Sequence, residues 1–199
     1  IEIVNLFILS FFYIACTNII ICSLLSYLIA PIVKRLGAEF KIIDIPNLRK
    51  VHTKPIVRIG GVSIFITFLS YLLFNYLFTN SIFNNSFYED KLFFIVIGSL
   101  FFFLIGIHDD IYKSSPILRL SLQFLVAFWI SFNGIGFSSL NFYLPFYGDI
   151  NLSLPFVFQH LFNAIWIVGL TNSINWIDGI DSLAAGYSSI LSLGLCLLM

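Results

Sequence analysis

The chain has 199 residues, of which 59% are hydrophobic, 18% aromatic and only 10% charged, and its formal net charge is zero. A mean hydropathy of +1.00, with charges far below the roughly 25% of an average soluble domain, excludes an ordinary soluble globular domain. With no basic excess there is no reason to expect nucleic acid as a partner, so the information lies in where the few charges sit.

A bilayer core takes about 20 mainly apolar residues per helix, which divides the chain into about six spans near 4–29, 60–78, 91–107, 118–133, 155–176 and 183–199. The expected fold is an all-α integral membrane protein, a multispan helical bundle with residues 1–199 in a single transmembrane domain. The opening IEIVNLF carries no basic n-region and no small-residue cleavage site follows it, so a removable signal peptide is not expected. The chain starts without Met and stops at LCLLM inside an apolar run, which reads as an N-terminal fragment whose later spans and loops lie elsewhere. Cys16, Cys22 and Cys196 all fall in apolar runs without metal or redox spacing and read as small buried hydrophobes.

The first polar stretch is DIPNLRKVHTKPIVRIGG, from Asp44 to Gly61. Its prolines and paired glycines interrupt helix, and Arg49, Lys50, His52 and Arg58 supply more donors than topology requires. Gly60 and Gly61 would let backbone N–H groups approach an anion at the start of the next helix. Phosphate binding is the reading for Arg49, Lys50 and His52, against a plain topogenic loop for most of the lysines taken singly.

The second is GIHDDIYK, Gly106 to Lys113, at the end of the third span. Adjacent carboxylates at a membrane boundary stay ionised only beside a cation or strong donors, and the negative end of a helix disfavours them further. Hard oxygen ligands facing a phosphate suit Mg²⁺ better than zinc. Neighbours on a helix diverge by about 100°, so Asp109 and Asp110 need not share one task. His108 reads as an interfacial residue.

Farther on, SLNFYLPFYGDINLSLP alternates loosely around Gly148 and Asp149 and suggests a short external β-hairpin with Asp149 in a solvated turn. His160 has no charged neighbour in sequence and reads as a packing or interfacial residue, as do the three tryptophans. Then TNSINWIDGIDSLAAG, Thr171 to Gly186, spaces Asn172, Asn175, Asp178 and Asp181 by three, along one slowly turning helical stripe, and Gly179 could open the helix between the aspartates. No internal repeat or low-complexity linker is present.

Alternation of loops across about six spans puts 31–59, 108–117 and 177–182 on one face. Lys34, Arg35, Lys41, Arg49, Lys50, Lys54, Arg58 and Lys113 share it, with Arg119 beside it, and Lys91 alone borders the other. By the positive-inside rule that face is cytoplasmic and the N-terminus lies outside. Two carboxylate pairs and a basic loop on one face outline a diphosphate site. A transporter using boundary aspartates for cation coupling, or a noncatalytic membrane scaffold, stays open at this level.

Three motifs in this order, DIPNLRKVHTKPIVRIGG, GIHDD and NSINWIDGIDSLAAG, resemble those of the polyprenyl-phosphate N-acetylhexosamine-1-phosphate transferases, the undecaprenyl-phosphate GlcNAc-1-phosphate transferase-like glycosyltransferase family 4. The resemblance covers essentially the whole chain, and RIGG looks closer to the branch that starts surface polymers than to the peptidoglycan branch. It implies an integral protein of the cytoplasmic membrane, active on the cytoplasmic face, that moves a sugar-1-phosphate from a UDP-N-acetylhexosamine to a polyprenyl phosphate lipid and releases UMP. It implies Mg²⁺, with Mn²⁺ as a substitute, and admits a homodimer. Asp109, Asp110, Asp178 and Asp181 would be the catalytic and metal residues, and Arg49, Lys50, His52, Arg58, Asn172 and Asn175 the substrate-binding ones. Ser182, Val57 and Trp176 depart from the usual Gly, Pro and smaller apolar residue, which touches substrate preference. A later Gly-Asp loop and a His-rich loop would lie beyond Met199; FYGD, at Phe146 to Asp149, is on the wrong face to be the former.

Overall fold

The computed structural model describes residues 2–45, 55–79, 86–145, 148–177 and 183–198. Among these, six α-helices and two small antiparallel strand pairs follow one another. They fall into two compact units, one of residues 1–89 and 110–113, the other of residues 90–109 and 114–199.

In the first unit, α1 (Glu2–Glu39) runs through Pro31 and on past Lys34 and Arg35, so the loop expected from residue 31 begins only after Glu39. A proline inside a long apolar helix removes one backbone bond without ending the helix where neighbouring groups compensate. The helix stops where Lys41 adopts φ 58 and the Ile42 N–H donates to the Gly37 carbonyl at 2.9 Å. The chain then forms β1 (Ile43–Asp44), which pairs with β2 (Ile56–Val57), Ile43 opposite Val57 and Asp44 opposite Ile56. Gly37 makes this return possible: a Cβ there would collide with the Val57 side chain. The Arg58 N–H donates to the Ile42 carbonyl at 3.1 Å, so the ladder fixes the backbone that carries Arg58. Next comes α2 (Gly61–Phe74), continued by a π-helical turn, Asn75–Thr79. Its start at Gly61 matches the sequence reading.

In the second unit, α3 (Ser86–Tyr112) contributes residues 90–109. Three residues later α4 (Pro116–Phe132) begins, with Pro116 in its first turn and the Ser115 hydroxyl accepting the Leu118 N–H at 3.3 Å. Both are helix-start devices: proline there loses no needed donor, and serine satisfies one of the unpaired amides. Gly98 lets α4 come close to α3, because a Cβ at that position would strike the Ile130 side chain. Phe94 and Phe101 meet Trp129 edge-on at centroid distances of 5.6 and 6.3 Å, a favourable aromatic geometry.

The hairpin joins β3 (Ser139–Leu144) and β4 (Gly148–Ser153) in register from Ser139 opposite Ser153 to Leu144 opposite Gly148. Asp149 is exposed, yet it stands in β4 opposite Tyr143 and not in the turn. Gly148 opens the strand with a positive φ of 74°, so Asp149 is already paired in β4.

After the hairpin, α5 (Phe156–Ile177) packs on α4, and α6 (Leu183–Leu198) follows. Ala127 of α4 and Ala164 of α5 are 0% exposed and meet with Val168, ringed by Phe102, Phe124 and Phe128. Gln123 bonds Asn172 near one end of this seam, and Ser131 bonds His160 and Asn163 at the other. Numbers rise along α4 as they fall along α5, so the helices are antiparallel. Small residues in the middle allow close approach, and polar residues at both ends find partners, as buried polar groups must. His160 is thus a packing residue as expected, tilted against Phe132 at a centroid distance of 4.3 Å and edge-on to Phe156 at 4.5 Å.

The helices coincide with the expected apolar segments, but the count of about six spans is not reached by length and composition. Among the described residues, two helical segments are long and apolar enough to cross a membrane, Cys16–Glu39 and Lys91–Tyr112. Gly61–Leu77, Pro116–Phe132 and Leu183–Gly194 are apolar but shorter. The 22-residue α5 has the length, yet it carries His160, Asn163, Asn172 and Asn175, and these lower its apolarity.

Overpacking tests the seam. Ala164→Leu is expected to cost about 1–3 kcal/mol, seen as a lower unfolding temperature in detergent, while Ile165→Leu, at an exposed position of the same helix, changes stability by less than about 0.5 kcal/mol.

Candidate active site

Asp109 and Asp110 occupy the last turn of α3, which ends where Lys113 takes φ 51. The link to α4 is short and held down: His108 Nδ1 and Ser114 Oγ are 2.8 Å apart. That geometry returns Arg119, the fourth residue of α4, to Asp109, and its Nη1 donates to Asp109 Oδ2 at 2.8 Å. Both side chains are largely withdrawn from solvent, 24% and 21% exposed.

Each member of this ion pair sits at the unfavourable end of its own helix. The α3 C-terminus carries partial negative charge and the α4 N-terminus partial positive charge, so the carboxylate and the guanidinium are each repelled locally. Their short charge-assisted bond offsets both terms. Arg119 Nε is buried and, alone among buried side-chain polar atoms of the described residues, has no hydrogen-bond partner.

Asp110 turns to a different cation. In the first unit Arg58 Nε lies 3.7 Å from Asp110 Oδ1, with the two side chains 31% and 35% exposed. This contact is looser and wetter than the first. Adjacent aspartates therefore meet separate partners, as their angular offset on the helix implies.

On α5, Asn172 is buried and Asn175, one turn later, is exposed. The Asn172 amide nitrogen donates to Gln123 Oε1 at 2.7 Å and to the Val168 carbonyl at 2.9 Å. An amide nitrogen has two hydrogens, so both are committed inside the helix pair. Of the residues expected in the site, Asp109, Asp110, Arg58, Asn172 and Asn175 are described; Arg49, Lys50, His52, Asp178 and Asp181 lie outside the described residues. Among the described residues no three His, Cys, Asp or Glu side chains gather as a metal cluster. Asp109 and Asp110, two of the four expected ligands, offer the hard carboxylate oxygens that suit Mg²⁺.

Sequence reading did not give Arg119 a role, nor single out Gln123. A signal for Arg119 was present: it is the one charge in PILRLSLQFLVAFWISF, and a lone ionisable residue in an apolar helix asks for a partner.

Residues 92–199 match the protein family described as Glycosyl transferase family 4. The chain belongs to that family. Its relatives include a Bacillus subtilis (strain 168) protein named "Probable undecaprenyl-phosphate N-acetylglucosaminyl 1-phosphate transferase", 37% identical over 171 residues, 85% of this chain and 44% of the relative. An undecaprenyl-phosphate alpha-N-acetylglucosaminyl 1-phosphate transferase of Thermotoga maritima is 28% identical over 86% of this chain and 48% of its own length. A phospho-N-acetylmuramoyl-pentapeptide-transferase of Caldanaerobacter subterraneus is 32% identical over 87% of this chain and 56% of its own. This family 4 chain thus spans about half the length of the curated relatives it matches. No solved structure matches it significantly. The family expected from the motifs is the family found.

The two ion pairs should differ in weight. Arg119→Ala, which strands a largely buried carboxylate, is expected to cost about 1–3 kcal/mol, with Arg119→Lys recovering part of it. Arg58→Ala is expected to stay within about 0.5 kcal/mol. Thermal unfolding of the full-length protein in detergent separates the two.

Proposed function

We propose that the full-length protein transfers an N-acetylhexosamine-1-phosphate from a UDP-sugar to polyprenyl phosphate, giving polyprenyl-diphospho-sugar and UMP. The reading rests on family membership together with one observation: consecutive aspartates at a helix end, each facing a different arginine. Such an arrangement supplies each carboxylate with a cationic partner, which at a membrane boundary would offset the cost that unpartnered ones carry.

In the proposed reaction a lipid phosphate oxygen forms a bond to the phosphorus that bears the sugar, and the bond from that phosphorus to the bridging oxygen breaks. UMP leaves with the bridging oxygen, and charge builds on the leaving phosphate. Catalysis of such a transfer is mainly positioning and charge neutralisation. Arg49, Lys50, His52 and Arg58 would neutralise the diphosphate, and Asn175 would contact the nucleotide sugar. Arg119 holds Asp109 in place. Asp109, Asp110, Asp178 and Asp181 are the residues that would hold Mg²⁺, which supplies positive charge to the phosphate oxygens when bound. The reaction belongs at the cytoplasmic face, because the nucleotide is soluble there while the prenyl tail remains in lipid. The product would start a cell-wall or surface polysaccharide.

Membranes containing the full-length protein are expected to release UMP from UDP-N-acetylglucosamine or another UDP-N-acetylhexosamine only when both polyprenyl phosphate and Mg²⁺ are added. Absence of lipid-dependent UMP with every UDP-sugar offered would overturn the proposal. Asp110→Asn and Asp178→Asn are each expected to lower turnover by about a hundredfold or more while the protein still inserts. Near-normal turnover in both would remove these residues from the site.

A further inference from the structure

The bond between Gln123 and Asn172 lies at a particular place in the second unit. Gln123 is one helical turn beyond Arg119 on α4, so both side chains lie along the same side of that helix. Through Arg119, α4 holds Asp109 of GIHDD at 2.8 Å. Through Gln123 it holds Asn172 of NSIN at 2.7 Å, and Gln123 and Asn172 are both buried. Two motifs more than sixty residues apart in sequence are thereby fastened to adjacent turns of one helix. No other motif-like feature marks Gln123.

We infer that Gln123 is a positioning residue: it sets the register of the α5 end that carries Asn172 and Asn175 relative to Asp109. This rests on the reaction proposed above and adds to it a residue that touches neither substrate nor ion. Without the amide oxygen of Gln123, one Asn172 hydrogen loses its acceptor in a buried interface. The helix end must then move or hydrate to satisfy it. Displacement of the motif by a fraction of an ångström is enough to misplace reacting groups, and small misplacements weigh on the chemical step more than on binding.

The test uses the full-length protein in membranes with UDP-N-acetylglucosamine and a polyprenyl phosphate. Gln123→Met keeps volume and removes the acceptor; Asn172→Leu removes the donor; the double variant removes both. Each single variant is expected to lower kcat per folded molecule by about tenfold or more with KM for the UDP-sugar within about threefold. The double variant is expected to be no worse than the poorer single one, since all three lack the same bond. In a background without native cysteines, nitroxide labels at Ser121→Cys and Ser173→Cys, both exposed, read the α4–α5 register directly. Gln123→Met is expected to broaden or shift their distance distribution.

Turnover per folded molecule within about threefold of wild type in both single variants, or losses that merely follow falling thermal stability with an unchanged label distance, overturns the inference. If wild-type membranes release no UMP, the proposed reaction falls. The label distances then decide the positioning claim alone, and an unchanged distribution in Gln123→Met overturns it.

Discussion

The antiparallel contact between α4 and α5 is the constraint on which the second unit depends. Ala127 and Ala164 are fully buried where the helices cross, and hydrogen bonds close the seam at both ends. Small residues let the backbones approach, and each polar bond admits only its own partner. A slip of one helical turn, about 5.4 Å, would bring His160 or Asn172 against apolar side chains. The seam thus specifies register as well as proximity. Asn163 extends the specification to the hairpin, since its side-chain oxygen accepts the Phe137 N–H at 2.9 Å and its nitrogen donates to the Ser131 hydroxyl at 3.0 Å.

The carboxylates of GIHDD depend on a different kind of constraint. Asp109 and Arg119 each occupy the wrong end of a helix dipole and are reconciled only by meeting. The three-residue link, with Ser115 as cap and His108 bonded to Ser114, brings the two helix ends close together. Asp110 instead belongs with the first unit, where the short β1–β2 ladder and the close approach at Gly37 carry Arg58.

Much of this was legible in the residues. Apolar runs gave the helix positions, because hydrophobic length is a strong signal, though α1 extends ten residues past its expected end near 29, and alternation gave the hairpin. Pro31 misled as a boundary, since its local preference yields inside a long apolar helix. Asp149 was displaced from turn to strand because Gly148, with its positive φ, defines the hairpin bend more tightly than composition does. The β1–β2 ladder, two residues on each side, is too short to leave an alternating pattern. Within the site the acidic motif was evident from its cost, while Arg119 and Gln123 were not. Their importance is a matter of which side of α4 faces which neighbour, and a neutral glutamine carries no spacing signature.

The polarity of α5 bears on biogenesis. A segment with His160, Asn163 and Asn172 buried against a neighbour is a poor solitary resident of lipid, where each such group would lack a partner. The complementary groups, Gln123 and Ser131, sit on α4, which leaves the ribosome first. The acceptor helix is therefore already made when α5 emerges, and the order of synthesis lets each polar group of α5 meet its partner on α4 as soon as it appears.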